Sequence, residues 1–217
     1  MRFLNTEIMG FEAALRGMRN PLNSHKNQDS TFENGDIIIG ENDLKLAQNL
    51  LKSGSEHCKF MRMIHVQVDL DCPRYLWSEL DTYHFGTKNS ASTMHKLLNN
   101  RSPISFEQFD YDTADKDVME VVINRLESLR NDYLQVMKDD NISDKNTIMN
   151  GLLRRAKKLL PESFLQIRTW DTNYAELRNI YFQRRHHRLP EWNTDFVEWV
   201  KTLPYAKELI MYEGEKK

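Results

Sequence analysis

Residues 159–184 read LLPESFLQIRTWDTNYAELRNIYFQR, and the fold turns on how this stretch divides. Pro161 ends whatever helix precedes it, because the residue before a proline is pushed out of the helical region. Phe164 to Thr172 reads as a short strand. Asn173 is a credible N-cap for a helix running to His187. Asn179 lies six residues on, beyond any capping role, and Arg184 follows at helical spacing. Arg184 is either one charge on a basic helix face, in the run Arg184-Arg185-His186-His187-Arg188, or a binding residue. Arg188, one helical turn further, is a second candidate for the same site.

Working outward, Asp117 to Asp139 reads as a long amphipathic helix with Val118, Val121, Val122, Leu126, Leu129, Tyr133 and Val136 as its apolar face. A second helix spans Ser143 to Leu160, with Ser143 as its N-cap. Beyond the opening stretch, Leu189 to Leu203 reads as a helix, and Tyr205 to Met211 as a final short one after Pro204. Toward the N-terminus, residues 2–8 read as a strand and Phe11 to Met18 as a helix. Residues 20–35, rich in Asn and Ser, read as a flexible loop. Asp36 to Gly40 is a short apolar run. Asp43 to Lys52 is helical, with Gly54 as its stop. His65 to Asp71 alternates, with Val66, Val68 and Leu70 on one side, and reads as a half-buried strand. Pro73 suits the first turn of a helix that continues through Tyr83. The whole reads as one α+β domain over residues 1–217, helix-rich with a small mixed sheet.

Composition narrows the function classes. The net charge is -2 although 29% of residues are charged, so no general electrostatic argument favours nucleic acid or membrane. Basic residues cluster only locally, at 154–158 and 184–188. No apolar run reaches the length of a membrane span. The N-terminus is too polar for a signal peptide, and two cysteines, Cys58 and Cys72, suggest no disulfide framework, so a cytoplasmic protein is expected. The histidines at 57, 84, 186 and 187 fit no metal-ligand spacing, and no metal is expected. Trp77, Trp170, Trp192 and Trp199 read as core or interface residues.

The run Gly86-Thr87-Lys88-Asn89-Ser90-Ala91-Ser92-Thr93 is small and polar. Backbone N–H groups and short hydroxyls in such a run can approach a phosphate closely. The same residues also make a plain turn that caps a helix beginning near Thr93. Together with residues 156–184, this run resembles the two conserved regions of the flavin-dependent thymidylate synthases. That family's pattern RHRxxSxNExSxR lies over Thr82 to Met94, where Asn89 and Ser92 match and Thr87 stands for a serine. Pro73 matches a helix-opening proline, Glu79 falls on a glutamine, and His57 falls on a flavin-contacting histidine. Ala156-Lys157-Lys158-Leu159-Leu160-Pro161 resembles the family's A-R-x-V-L-P, and Asn173, twelve residues past Pro161, Asn179 and Arg184 follow in register.

The resemblance implies the fold of that family and a homotetramer with active sites between subunits. It implies FAD as cofactor, NADPH and methylene-tetrahydrofolate as co-substrates, and dUMP or a related pyrimidine nucleotide as the substrate methylated at C5. By the same resemblance His57, His84, Asn89, Asn173, Asn179 and Arg188 are the candidates for flavin. Glu79, Ser90, Ser92, Lys157 and Arg184 are those for the nucleotide, with Arg184 polarising the base. The family's three leading basic residues are Thr82, Tyr83 and His84 here, its glutamate is Ser90, and its phosphate-holding arginine is Met94. None of these gives the planar, bidentate grip of an arginine. Lys88, His84, His95, Lys157 and Arg185 are the cations available to replace it. A non-catalytic, oligomeric or nucleotide-binding relative is the alternative expectation, and a flavin-dependent hydroxymethylation a third.

Overall fold

The computed structural model describes residues 1–33, 35–99 and 102–214; the side chain of His95 lies outside the described residues. The strands are β1 (Arg2–Met9), β2 (Thr31–Glu33), β3 (Asp36–Ile38), β4 (His65–Pro73), β5 (Thr87–Ser90) and β6 (Leu165–Asn173). The helices are α1 (Phe11–Met18), α2 (Glu41–Lys52), α3 (Arg74–Leu80), α4 (Thr93–Lys96), α5 (Lys116–Lys138), α6 (Lys145–Leu159), α7 (Tyr174–Arg184) and α8 (Val197–Thr202). Four strands form a sheet in the order β1-β4-β6-β5, and β2 and β3 form a separate antiparallel ribbon. The larger sheet is antiparallel, not mixed. Asn5 bonds Asp69 while Gly10 lies against Met63, so β1 and β4 run in opposite directions. Thr169 bonds Asp69 and the Tyr174 N–H donates to the Ile64 carbonyl, so β4 and β6 do too. Alternation in a sequence marks a strand and its faces; it carries no strand direction.

The chain divides into two compact units. The first comprises Met1–Leu70, Tyr83–Lys88 and Thr169–Lys217. Its core holds α1 through Phe11, Ala14, Leu15 and Met18, spaced on one helical face. Val66, Val68 and Leu70 are buried from β4, as their alternation predicts. Phe3 stacks on Trp199 at 4.2 Å, and Trp192 meets Phe196 edge to face at 5.6 Å. Residues 20–35 hold two 3-10 turns and β2 rather than a plain loop. They are tied down at Asp43, which takes Arg19 Nε at 2.6 Å, Ser30 Oγ at 2.6 Å and the Asp29 and Ser30 N–H groups. Burial alone would raise the Asp43 carboxyl, but these hydrogen bonds hold it below its ordinary value.

Two expected helices of this unit take other forms. Residues Glu191–Phe196 form a π turn ahead of α8. Residues 205–211 form successive turns instead of a helix. Tyr205 there has a left-handed φ of 52°. Side chains of α7 hold both ends of the segment: Tyr174 Oη donates to Pro204 O at 2.7 Å, and Arg178 Nη1 to Leu209 O and Ile210 O at 3.1 and 2.9 Å.

The second unit comprises Asp71–Thr82 and Asn89–Arg168. Its core lies between α5 and α6, with Met119, Ile123, Leu126 and Leu129 facing Leu152, Leu153 and Ala156. The buried face of α5 is therefore rotated from the expected one, and Val118 and Val121 are 59% and 70% exposed. Positions 119, 123 and 126 share a stripe; 118 lies about 100° from Met119 and 121 about 160°, so neither can join it. Helix α6 starts at Lys145 with Asp144 at its N-cap and no side-chain cap, so Ser143 does not cap it. Trp77 donates through Nε1 to Gln166 O at 2.7 Å, and the Arg168 guanidinium lies 4.3 Å from its ring. All four tryptophans are buried. No described helix is long and apolar enough to cross a membrane.

Candidate functional site

In the first unit the polar residues of α7 are set by how the helix begins. Asn173 leaves β6 with extended backbone, and its Oδ1 accepts the Glu176 N–H at 3.0 Å, the N-cap its position predicts. Glu176 stands where a capping-box carboxylate would stand. Its side chain is only 5% exposed, and it accepts hydrogen bonds from the Asn179 side chain and the Phe85 backbone N–H. Burial pushes the Glu176 carboxyl up; those bonds and the nearby Lys88 and His84 charges pull it back only in part.

From Glu176 a directional hydrogen-bond chain runs along α7. Asn179 Oδ1 accepts from Gln183 Nε2 at 2.8 Å, Gln183 Oε1 accepts from Tyr83 Oη at 3.0 Å, and Tyr83 Oη accepts from Arg184 Nε at 2.9 Å. The spacing 176, 179, 183 is the i, i+3, i+7 row of one helix face. The Arg184 guanidinium also lies 4.9 Å from the Trp192 ring and 5.7 Å from the Tyr83 ring. The charge of Arg184 and the carboxylate of Glu176 thus end one relay whose members polarise one another.

Asn173, Glu176, Asn179 and Gln183 line a cavity of about 570 Å³ with Arg62, Cys58, Met61, Phe85, Arg178 and Phe182. That volume falls in the ~300–1,000 Å³ range of small-molecule sites. Phe85 is 64% exposed, and Phe182 carries the Arg178 guanidinium at 4.6 Å. Cys58 donates its thiol to Leu50 O and Gly54 O, and burial raises its pKa, as burial also does for Cys72; neither thiol is activated.

The other sequence-predicted residues fall as follows. His57 and His84 are exposed residues of the first unit, His57 in the turn beside Cys58 and His84 close to Glu176. Arg188 is exposed beyond the end of α7, and Arg185 pairs with Glu213. Arg184 meets the Asn173–Asn179 group through Tyr83 and Gln183 and is not among the residues lining the cavity.

Glu79, Asn89, Ser90, Ser92 and Lys157 belong to the second unit. Asn89 and Ser90 are exposed on β5, an edge strand of the sheet, where a capping turn or phosphate loop was expected. The helix after the run does begin at Thr93. Ser92 lines a cavity of about 180 Å³ with Thr93, Lys96 and Gln166. Lys157 lines another, of about 370 Å³, with Met94, Arg154 and Lys158, and its Nζ lies 3.1 Å from Met94 Sδ. Glu79 is half-buried on α3.

Sequence reasoning missed Glu176, Tyr83, Gln183 and Phe85. A signal existed for Glu176 and Gln183: Asn173-x-x-Glu176 has capping-box spacing, and Gln183 lies four residues past Asn179. Tyr83 stands on a position of the family motif, but its contact with α7, across a hundred residues of chain, left no mark in the sequence.

No family profile matches the chain, and no curated protein is significantly similar to it. Solved structures are similar. A crystal structure of the flavin-dependent thymidylate synthase ThyX from Helicobacter pylori, complexed with FAD and dUMP, superposes with a TM-score of 0.67 at 17% identity, covering 98% of both chains. A second, of ThyX from Helicobacter pylori with FAD and dUMP, gives 0.66 at 16% identity over 97% of both chains. The chain therefore has the ThyX fold from end to end.

Proposed function

We propose that the chain is a divergent thymidylate synthase-like enzyme that binds FAD and a pyrimidine nucleotide, dUMP or a close relative, and modifies the base at C5 by reductive methylation or a related reaction. The observation that carries this reading is the fold, shared over 98% of both chains with a ThyX holding FAD and dUMP. Two features of this chain's own residues support it. Asn173 and Asn179, in register with the family's flavin residues, line one cavity whose size, amide groups and aromatic faces suit a planar ring. Met94 and Lys157, in register with two phosphate-holding arginines, lie in contact in the second unit.

A bound flavin would supply the hydride, which explains why no activated thiol is needed. The protein's part is alignment and polarisation. Asn173, Asn179 and His57 would hold the cofactor, with His84, Asn89 and Arg188 as further contacts. Lys157, Ser90, Ser92 and Glu79 would hold the nucleotide, and Arg184, its guanidinium fixed by Tyr83 and Trp192, would polarise the base. NADPH and methylene-tetrahydrofolate are the co-substrates of this reading, a homotetramer its assembly and the cytoplasm its compartment.

A second reading, a nucleotide-binding relative without the flavin reaction, draws on Thr82 and Tyr83 standing where the family has cations. Titration with FAD, followed between about 350 and 500 nm, separates the two. A perturbed, retained flavin spectrum that shifts again on adding dUMP supports the enzyme. A protein that leaves FAD unperturbed yet binds dUMP by calorimetry supports the second reading, and one that binds neither overturns both.

A further inference from the structure

The cavity along α7 holds an uncommon combination: one buried carboxylate among amides, lined by arginines. The bonds around it decide what each group can offer. Asn173 Oδ1 is committed to the helix cap and Asn179 Oδ1 to Gln183, so both amides turn their NH2 groups, as donors, toward other partners. Glu176 offers an acceptor. An ionised carboxylate has about four lone-pair sites, and the donors from Asn179 and Phe85 take two of them. The lining therefore presents an acceptor, Glu176, together with amide donors.

The charges exclude two ligand classes. A cation would meet Arg62 and Arg178 in the lining, with Lys88 and His84 close by. A phosphate driven inward would meet the like charge of Glu176. A neutral, planar group remains, in a lining that also holds Phe85 and Phe182. The neutral edge that offers an N–H to an acceptor and carbonyl oxygens to amide donors is an imide, O=C–NH–C=O.

We infer that the α7 cavity reads the imide edge of a planar heterocycle, with Glu176 accepting its N–H. The inference rests on the flavin and pyrimidine reading above and deepens it. The ring systems of flavin and uracil both carry an imide, and the chemistry is the same from either source. The relay from Arg184 through Tyr83, Gln183 and Asn179 fixes the carboxylate's orientation, so Glu176 needs no rearrangement to meet its ligand.

The test uses the full chain and four small probes: lumiflavin, uridine and their N3-methylated forms. Lumiflavin binding is followed by fluorescence quenching and uridine binding by calorimetry. Methylation removes the N–H and should weaken the wild-type complex by about tenfold or more, the worth of a charge-assisted hydrogen bond. Whichever parent ring shows this difference is the source of the imide. In Glu176→Gln the amide oxygen stays bonded to Asn179 and Phe85, and its NH2 then opposes the ligand N–H. The variant should bind the parent ring about tenfold more weakly and lose the discrimination. Equal affinity for parent and methylated rings, binding of none of the four, or discrimination unchanged in Glu176→Gln would each overturn the inference. FAD and dUMP are titrated in parallel. Their binding without any N3 effect leaves the proposed function standing without this inference; N3-selective ring binding without FAD or dUMP binding does the reverse.

Discussion

The two segments that carry the family resemblance have fared differently. Residues 156–184 kept their register, and two of its asparagines line one cavity. Residues 82–94 hold Thr82, Tyr83 and Met94 where the family pattern has cations, and Thr87–Ser90 of their polar run form an edge strand. A helix protects the spacing of its residues, because a shift by one moves a side chain about 100° around the axis. A short polar run has no such periodicity, and its chemistry can drift. The first segment has nonetheless kept a role. Tyr83, where the family has a cation, holds Arg184 through its hydroxyl and passes the hydrogen bond on to Gln183. The first segment supplies orientation through Tyr83, and the second supplies the charge being oriented.

The largest expected effect breaks the comparison on the α7 side. Arg184→Ala should lower dUMP affinity by about a hundredfold, from the loss of charge-assisted bonds worth roughly 1.5–3 kcal/mol each at 1.4 kcal/mol per decade. Calorimetry on a variant with an unchanged circular dichroism spectrum measures it, and unaltered affinity would remove α7 from the nucleotide site. Next comes Gly86, at the head of the polar run. Its φ of 134° lies where side chains are rarely tolerated, and a Cβ would collide with the Asp171 carbonyl oxygen. Gly86→Ala should cost about 2 kcal/mol of stability in urea unfolding. A cost below about 0.5 kcal/mol would show that this backbone is not fixed.

Much of the fold was legible because most elements announce themselves by period. Helix α1 spans the residues its spacing marks, and β4 buries the residues its alternation marks. The misses have physical causes. The rotation of α5 depended on which of two adjacent apolar stripes α6 would cover, and Val118, Met119, Val121 and Ile123 are too alike to decide it. Residues 205–211 read as helical by period, but their course is set by Tyr174 and Arg178, thirty residues away, which bond the carbonyls at the two ends of the segment. At the site, Asn173 and Asn179 were legible from spacing and resemblance. Tyr83 was not, because its partners are set by tertiary structure alone.

Two buried carboxylates of the first unit sharpen the comparison through pH. Asp43 is held below its ordinary 3.8, so its contribution to stability is present above that pH and is lost as pH falls below it. Glu176 is held above its ordinary 4.5, so its contribution is full below that pH and is lost as pH rises through its folded value. Glu176→Gln removes the cost of burying that charge. The variant should therefore melt at a higher temperature than wild type at pH 7 and at nearly the same temperature at pH 4. A variant destabilised at pH 7 would mean that the carboxylate serves as a structural anchor, as Asp43 does, and not as a group kept for a ligand.

The smallest expected effect probes the exposed strand. Asn89 lies on β5 with its side chain exposed, so Asn89→Ala should change stability by less than about 0.5 kcal/mol. If the first segment still contacts the flavin, one neutral hydrogen bond of about 1 kcal/mol is lost, and the Kd for FAD rises about fivefold. Stability and affinity thus separate at this position, whereas at Gly86 stability carries the effect. A variant with both quantities unchanged would leave β5 a structural edge and concentrate the binding chemistry of this chain on α7 and Tyr83. The first segment's surviving role would then be to orient Arg184, and the loss of its cations would mark a move of the site rather than its decay.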